Sequence, residues 1–280
     1  MKSKRSVIVH YHTYKNSGTS FDELLTENYG EAHLSFDGPF PYTTFAQQEL
    51  LQIVRRHEQK IAFSSHSIRV PVPTDLWHNI LAAVFIRHPL ARVRSIYGFE
   101  TRKPPDLAQR ARSILKKQKH TPDQSQSFDD WVTKKREEKD LHLLSNGQTQ
   151  IFAGVYGTIG LNALAFPRDP GSFLISDLEQ AMRNLQAVPL LARTEHYDED
   201  VSRFPAILDQ LAGIEFKYTP RAPANVSHPQ ADQTLQARLD FIQDELSPEN
   251  WTWLQHANRQ DLRLYEFAGE LISSNHPLYG

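Results

Sequence analysis

The chain has 280 residues, of which 39% are hydrophobic and 23% charged, a composition typical of a folded protein. Its 31 basic and 33 acidic residues leave a net charge of −2, so overall charge does not favour nucleic acid or an anionic membrane. Residues 80–86 form the longest apolar run, far short of the roughly 20 residues that span a bilayer. The absence of cysteine excludes disulfides, thiol nucleophiles and thiolate metal sites.

The amino terminus carries no pattern of a secretory leader. Residues 1–6 are polar and basic and run directly into a strand-like segment, without an apolar stretch and cleavage site. Together with the lack of cysteine, which suits a reducing compartment, this predicts a cytoplasmic protein without a membrane span.

The first predicted elements are a buried strand over residues 7–12 and a helix that follows a short loop of small polar residues. Thr19 or Ser20 is expected to cap this helix, and Gly30 to end it. A second helix is expected to begin at Thr43 or Thr44.

Two further strands are predicted over residues 61–64 and 81–86. The second is a continuous apolar run, which is typical of a parallel strand covered on both faces. Strands that alternate with helices indicate an α/β fold with a parallel sheet flanked by helices. Beyond about residue 105 the pattern is mostly helical, with a polar loop over 116–127 and a closing helix over 261–272. No repeat or shift in composition divides the chain, so residues 1–280 are expected to form a single domain.

The loop after the first strand has the properties of an anion site. Backbone N–H groups and the positive end of the helix dipole face such a loop, and Lys15 adds a cation. Ser17, Thr19 and Ser20 add hydroxyl donors. The alternative is an ordinary turn whose Ser and Thr residues only cap the helix. A Walker A loop is excluded because no glycine in the chain is followed by lysine.

His10 and His12 lie on one face of the first strand. Two histidines at this spacing suit a metal, but no third ligand follows nearby in the sequence. A structural or substrate-side role is therefore favoured, and no metal is expected.

A second anion element follows the strand over 81–86. Arg87 lies at the carboxyl end of that strand, where open α/β sheets bind ligands, and Pro89 suits the first position of a helix. Ser95 comes two helical turns later. An arginine and a serine at these positions suit a second phosphate, and the alternative is an ordinary surface ion pair.

Together these elements resemble the sulfotransferases that use 3′-phosphoadenosine 5′-phosphosulfate (PAPS), above all the carbohydrate type and its soluble bacterial relatives. Residues 12–20 resemble the family's His-Ile-Pro-Lys-Thr-Gly-Gly-Thr-Ser loop. The second element of the family is matched by Arg87, Pro89, Arg92, Ser95 and Tyr97. The resemblance continues in order through residues 146–154, 194–199, 225–227 and 261–266.

The resemblance implies a P-loop-like sulfotransferase fold and sulfuryl transfer from PAPS to a hydroxyl acceptor of carbohydrate type, with PAP as product and no metal. Lys15 would stabilise the bridging oxygen as PAP leaves, and Arg87 and Ser95 would bind the 3′-phosphate. The 5′-phosphosulfate would be held by the remaining loop residues, Asn16, Ser17, Gly18, Thr19 and Ser20.

An acceptor hydroxyl needs a base within about 3 Å as it attacks. His66 follows the strand over 61–64, where related enzymes often place a histidine base, and it is the first choice. Glu100 is the second choice of base, and Glu31 and Glu195 are weaker candidates. The alternative for His66 is a surface or capping role.

A basic stretch between residues 102 and 119 could attract an anionic saccharide, although such a run is more often a solvated helix face. No nucleic-acid partner is expected. Tyr14 and Ser17 replace the family's proline and glycine, and His88 replaces its acidic or amide residue. The altered Tyr14 and Ser17 leave open a degenerate relative that binds nucleotide or saccharide without turnover. A P-loop-type kinase is the alternative enzyme, because it would share the sheet and the first loop.

Overall fold

The computed structural model describes residues 4–39, 43–101, 126–154, 175–220 and 234–277. Within them the fold centres on a five-stranded, wholly parallel sheet with the strand order β2-β3-β1-β4-β5. The strands are β1 (Arg5–Tyr11), β2 (His33–Ser35), β3 (Ala62–Ser65), β4 (His78–Ile86) and β5 (Leu190–Arg193).

Helices cover both faces of the sheet and extend beyond its β4–β5 side. In chain order they are α1 (Gly18–Tyr29), α2 (Gln47–Arg56), α3 (Pro89–Glu100), α4 (Phe128–Glu137), α5 (Gly147–Phe152), α6 (Ile175–Gln186), α7 (Tyr197–Val201), α8 (Phe204–Ala212), α9 (Leu235–Asp244), α10 (Pro248–Ala257) and α11 (Arg259–Ser273).

The central strands are apolar because both faces of the sheet are covered. Alternate residues of a strand point to opposite faces. Val7, Val9 and Tyr11 pack on the side of α2, α6 and α11. Ile8 packs on the other side with Phe21 of α1 and with α8. The parallel sheet flanked by helices, predicted from the continuous apolar runs, is confirmed.

A third apolar cluster lies outside the sheet, where α3, α4, α9 and α10 pack together. Its members include Ile96 of α3, Trp131 of α4, Ile242 of α9 and Leu254 of α10. This cluster fixes α9 against α3, so the helix that follows Arg87 is held by its helical neighbours.

The three strands predicted from the sequence are present, with ends that differ by a few residues. Helix α1 ends at Gly30 as expected, but it begins at Gly18, so Thr19 and Ser20 lie in its first turn rather than capping it. Helix α2 begins three residues after the predicted Thr44. The closing helix is confirmed as α11.

Two short strands were not expected. β2 has three residues, and β5 has four within the carboxyl-terminal half that the pattern predicts to be helical. Most of the loop over 116–127, the basic stretch and residues 225–227 lie outside the described residues. Among the described helices, none is long and apolar enough to cross a membrane.

Two leucines of α8 allow a matched test of the packing on the α1 side of the sheet. Leu208 is fully buried, whereas Leu211 is 39% exposed. Leu208→Ala is expected to lower the free energy of unfolding by about 2–5 kcal/mol because it leaves a cavity. Leu211→Ala should lower it by less than about 1 kcal/mol, since it removes little buried apolar area. Urea denaturation followed by circular dichroism measures both, and equal losses would contradict this packing.

Candidate functional site

The segments that carry Lys15, Arg87 and His66 meet at the carboxyl edge of the sheet. Strands β3 and β4 flank β1 and run parallel to it, so the segments that follow all three strands lie at one edge. The guanidinium of Arg87 donates from Nη1 to the carbonyl of Lys15 at 3.0 Å. Nδ1 of His66 lies 3.0 Å from the carbonyl oxygen of His12. Segments from three strands thus converge around the end of β1.

The first loop has a backbone that glycine would normally favour. Lys15 has φ 63° and Ser17 has φ 59°, both in the left-handed region, which costs a non-glycine residue roughly 1–2 kcal/mol. Ser17 stands where the resembling family has glycine, yet it keeps this conformation. Its side chain does not cap α1, and the first turn of α1 contains no acidic residue. The positive end of α1 therefore opens onto the loop.

Gly18 is required by the close approach of His12. A Cβ atom at Gly18 would lie 1.9 Å from Cδ2 and 2.1 Å from Nε2 of His12. No side chain fits there unless the imidazole moves. His12 therefore lies directly against the first residue of α1.

Three side chains from other elements hold consecutive residues of the loop. Arg92 of α3 donates from Nε to the carbonyl of Tyr14 at 3.2 Å, and Arg87 binds the carbonyl of Lys15. Asn16 donates from Nδ2 to the side-chain oxygen of Gln148 at 2.8 Å and to the carbonyl oxygen of Phe85 at 2.8 Å.

Gln148 joins the two anion elements. Its Oε1 accepts from Asn16 and also from the backbone N–H of Arg87 at 2.9 Å, while its Nε2 donates to the carbonyl of Arg87 at 2.8 Å. The side chain is fully buried. The side-chain amide of Asn16, which was predicted to contact the cofactor, thus braces the loop. The backbone N–H of Asn16 donates to the carbonyl of Thr13.

Helix α5, which contains Gln148, is fixed by an exchange of caps with α11. Asp261 accepts from the backbone N–H of Gln148 at 3.0 Å and of Thr149 at 2.6 Å. In return, Oδ1 of Asn146 accepts from the N–H of Gln260 at 3.0 Å and of Asp261 at 3.2 Å. These caps satisfy buried helix ends, and they extend the support of the loop to the last helix of the fold.

The second element brings several guanidinium groups close together. Nε of Arg87 lies 3.6 Å from Oε1 of Glu195, and both atoms are buried without a hydrogen-bond partner among the described residues. Burial lowers the pKa of Arg87, Glu195 opposes this, and the nearby guanidinium groups of Arg238 and Arg92 lower it further. Ser95 is half-buried on α3. Three guanidinium groups, those of Arg87, Arg92 and Arg238, thus lie near one another, an arrangement that suits an anion.

Lys15 rests on an aromatic ring at the end of α3. Its Nζ lies 4.6 Å from the centroid of the Phe99 ring, a cation–π distance. Thr19 is exposed and Ser20 is half-buried, so both hydroxyl groups are accessible at the same helix end.

A group of histidines and one carboxylate lies beside this loop. Asp22 of α1 accepts from Nδ1 of His10 at 2.6 Å through Oδ1 and from Nδ1 of His12 at 2.9 Å through Oδ2. The ring of His66 lies on that of His12, with centroids 3.7 Å apart. Burial lowers the pKa of His10 to about 4, so its imidazole is neutral. Burial would raise the pKa of Asp22, but the hydrogen bonds from His10 and His12 hold it well below its ordinary value.

The side chains of three of these residues are of types that can bind a metal ion. They are His10, His12 and Asp22, whose potential ligand atoms lie within 4.8 Å of one another. Metal bonds of about 2.1 Å separate neighbouring ligand atoms by about 3.0–3.4 Å. The 2.6 Å contact between His10 and Asp22 is shorter than that and fits an N–H···O hydrogen bond. The geometry is that of two imidazoles hydrogen-bonded to one carboxylate.

The candidate bases differ in their surroundings. His66 is exposed and borders the first loop through His12. Glu100 lies 3.8 Å from Nζ of Lys135 on α4. Glu195 is buried beside Arg87, and Glu31 is exposed before β2, where its carbonyl accepts from Lys60. Among these, His66 is the group in contact with the end of β1.

Two residues of this site were missed by sequence reasoning. Asp22 lies in an amphipathic helix, a pattern that does not single it out. Its position one turn after the loop could have indicated that it lies near the site. Gln148 was noted only as part of a motif, because nothing in the sequence says which buried amide joins two distant loops.

No protein-family model matches the chain. A protein of Archaeoglobus fulgidus, described as an uncharacterized protein, is 23% identical over 270 residues, which cover 94% of this chain and 95% of that protein. The similarity therefore extends over nearly the whole of both chains, and it assigns no activity.

The two glutamines of α5 provide a matched test of the support of the loop. Gln148→Ala removes three buried hydrogen bonds and should lower the free energy of unfolding by about 3 kcal/mol, at about 1 kcal/mol for each bond. Gln150→Ala removes the bond to the carbonyl of Ser145 and should cost about 1 kcal/mol. Urea denaturation measures both, and equal costs would contradict the bridging role of Gln148.

Proposed function

We propose that this protein is a sulfotransferase that moves the sulfuryl group of PAPS to the hydroxyl group of a carbohydrate-type acceptor. The observation that carries the proposal is the hydrogen bond from Arg87 to the carbonyl of Lys15, because it joins the two elements on which the family resemblance rests. PAPS has anionic groups at both the 3′ and the 5′ positions of its ribose, so it requires two linked anion sites. The P-loop-like sulfotransferase fold is part of the same proposal.

The 5′-phosphosulfate would lie at the start of α1. Backbone N–H groups of Gly18, Thr19 and Ser20 have the orientation that binds sulfate or phosphate at a helix end, and the helix dipole favours the negative charge. The side chain of Ser17 leaves this end open because it makes no cap. Lys15 would leave the ring of Phe99 to contact the bridging oxygen.

The 3′-phosphate would bind Arg87 and Ser95. The buried Nε of Arg87 has no hydrogen-bond partner in the described part of the chain, and a phosphate oxygen would supply one. Arg238 of α9 and Arg92 of α3 add positive charge around the same guanidinium group. This phosphate distinguishes PAPS from ATP and favours the sulfotransferase over a kinase.

Transfer of the sulfuryl group resembles phosphoryl transfer, in which positioning and charge stabilisation supply most of the rate. The acceptor oxygen attacks sulfur in line while the bond from sulfur to the bridging oxygen breaks, and PAP leaves as an anion. His66 would take the acceptor proton on Nε2. Lys15 would stabilise the negative charge on the leaving oxygen.

Donor binding tests the second anion site. PAP is expected to bind more tightly than 5′-AMP, which lacks the 3′-phosphate. Ser95→Ala should weaken PAP about 10- to 100-fold and leave 5′-AMP nearly unchanged, since it removes a hydrogen bond to a charged group. Arg87→Ala should weaken PAP at least as much, and it should weaken 5′-AMP to a smaller extent because Arg87 also holds the carbonyl of Lys15 in the first loop. Isothermal titration calorimetry gives these affinities.

Ser95→Ala does not disturb the buried pair of Arg87 and Glu195, so it separates phosphate binding from folding. Arg183→Ala, which alters a side chain that is 60% exposed, is the control and should change neither ligand. Equal PAP affinity in Arg87→Ala and in the wild type would overturn the assignment. Tight binding of MgATP without binding of PAP would favour the kinase.

Turnover tests the roles of Lys15 and His66. With radiolabelled PAPS and a panel of hydroxyl acceptors, Lys15→Met and His66→Asn should each lower kcat about 100- to 1,000-fold while PAP still binds. Lys217→Met and His196→Asn, at exposed positions, should have little effect.

If Glu100→Gln loses activity and His66→Asn retains it, the general base is Glu100 and not His66. Binding of PAP without turnover on any acceptor would identify a degenerate binding relative instead of an enzyme.

A further inference from the structure

The histidine–aspartate group beside the first loop consists of His10, His12, Asp22 and His66, and the proton positions in it follow from its hydrogen bonds. An ionised carboxylate only accepts, so Nδ1 of His10 and Nδ1 of His12 both carry hydrogen toward Asp22. A backbone carbonyl also only accepts, so Nδ1 of His66 carries hydrogen toward the oxygen of His12. In neutral His66 the basic nitrogen is therefore Nε2.

His12 contacts His66 in two ways. Its carbonyl oxygen accepts the Nδ1 hydrogen of His66, and its ring packs against the His66 ring with centroids 3.7 Å apart and planes tilted by 36°. The plane and the tautomer of His66 are both set by these contacts. His12 is itself held on its far side by Asp22 and against Gly18 at the start of α1.

The charged and titratable groups that face His66 come from several elements. They are His12 of β1, Asp22 of α1, Asp37 from the segment after β2, which accepts from the His66 backbone N–H at 2.7 Å, and Arg69, which donates to the His66 carbonyl. Packing of its inner face and the proximity of His12 lower the pKa of His66, while Asp37 and Asp22 raise it. A neutral imidazole at neutral pH suits a base.

We propose that Asp22 and His12 form a positioning pair for His66, a role that rests on the proposed sulfotransferase function. The pair presents Nε2 of His66 to the acceptor hydroxyl. When the acceptor oxygen bonds to sulfur and PAP departs with the bridging oxygen, the proton moves to Nε2. The resulting imidazolium keeps its Nδ1 hydrogen on the carbonyl of His12, and the negative charge of Asp22 lies behind His12.

Asp22→Asn tests this arrangement. A carboxamide offers one accepting oxygen and one donating nitrogen, so it cannot accept from both histidines, and one of them must change tautomer. With histidine labelled in 15N, NMR of the wild type should give the Nδ1–H tautomer for His10 and His12 at neutral pH, and Asp22→Asn should convert one of them to Nε2–H. His10→Asn and His12→Asn assign the signals.

Kinetics supply the second readout. Asp22→Asn should lower kcat about 10- to 100-fold and leave PAP affinity unchanged. The acidic limb of the pH profile of kcat/KM should move to lower pH, because loss of the Asp22 charge lowers the pKa of His66. Asp22→Glu keeps the charge and should keep the limb where it is in the wild type. A purely structural role for Asp22 would lower the yield of folded protein without moving the limb.

Three results would overturn the proposal: an Nε2–H tautomer of His12 in the wild type, an unmoved acidic limb in Asp22→Asn, or one equivalent of tightly bound zinc in the purified protein by mass spectrometry. The NMR measurement on the wild type decides the arrangement even if the variants do not fold. Failure of every variant and of the wild type to bind PAP would refute the proposed function itself, and the positioning role with it.

Discussion

The hydrogen bonds of Gln148 link two loops that are far apart in sequence. These loops contain the two candidate anion sites. The carboxamide binds the side chain of Asn16 in the first loop and both backbone polar groups of Arg87 in the second element. Because it is buried, these bonds are costly to lose. The exchange of caps between Asn146 and Asp261 fixes the helix that carries Gln148. The distance between the two candidate anion sites therefore depends on a polar network, not on loop packing alone.

This network explains how a strained loop persists. Lys15 and Ser17 are in the left-handed region without being glycine, and such residues remain there when their surroundings determine the backbone. The carbonyl groups of Tyr14 and Lys15 are bound by arginine side chains, and Asn16 is bound by Gln148. The open end of α1 is consequently held in one orientation toward the edge of the sheet.

The same edge brings together charge of both signs. Arg87 lies beside the buried Glu195, while Asp22 accepts hydrogen bonds from His10 and His12. An anionic donor would find positive charge at Arg87 and the helix end, and an acceptor hydroxyl would find an imidazole at His66. This separation of roles follows from the strand order, since β4 and β3 lie on opposite sides of β1.

Much of the fold was predictable because buried parallel strands are continuous apolar runs. The strand over 81–86 and the positions of Lys15, Arg87 and His66 after their strands followed from that pattern. β5 was missed because four residues between helices carry little periodic signal, and β2 because it has three residues. Asp22, Gln148 and the capping pair of Asn146 and Asp261 were missed for a different reason. The hydrogen-bond partners of Gln148, Asn146 and Asp261 lie far away in sequence, and such bonds leave no local pattern. Asp22 lies close in sequence to His10 and His12, but an amphipathic pattern does not reveal which polar residue faces them.

The most direct test of the central claim, that two linked anion sites bind one donor, is a crystal structure of the protein with PAP. We expect the 5′-phosphate at the N–H groups of Gly18 to Ser20 and the 3′-phosphate at the guanidinium of Arg87 and the hydroxyl of Ser95. The claim would be contradicted by PAP bound elsewhere, or by a 3′-phosphate in solvent while Arg87 contacts Glu195 alone.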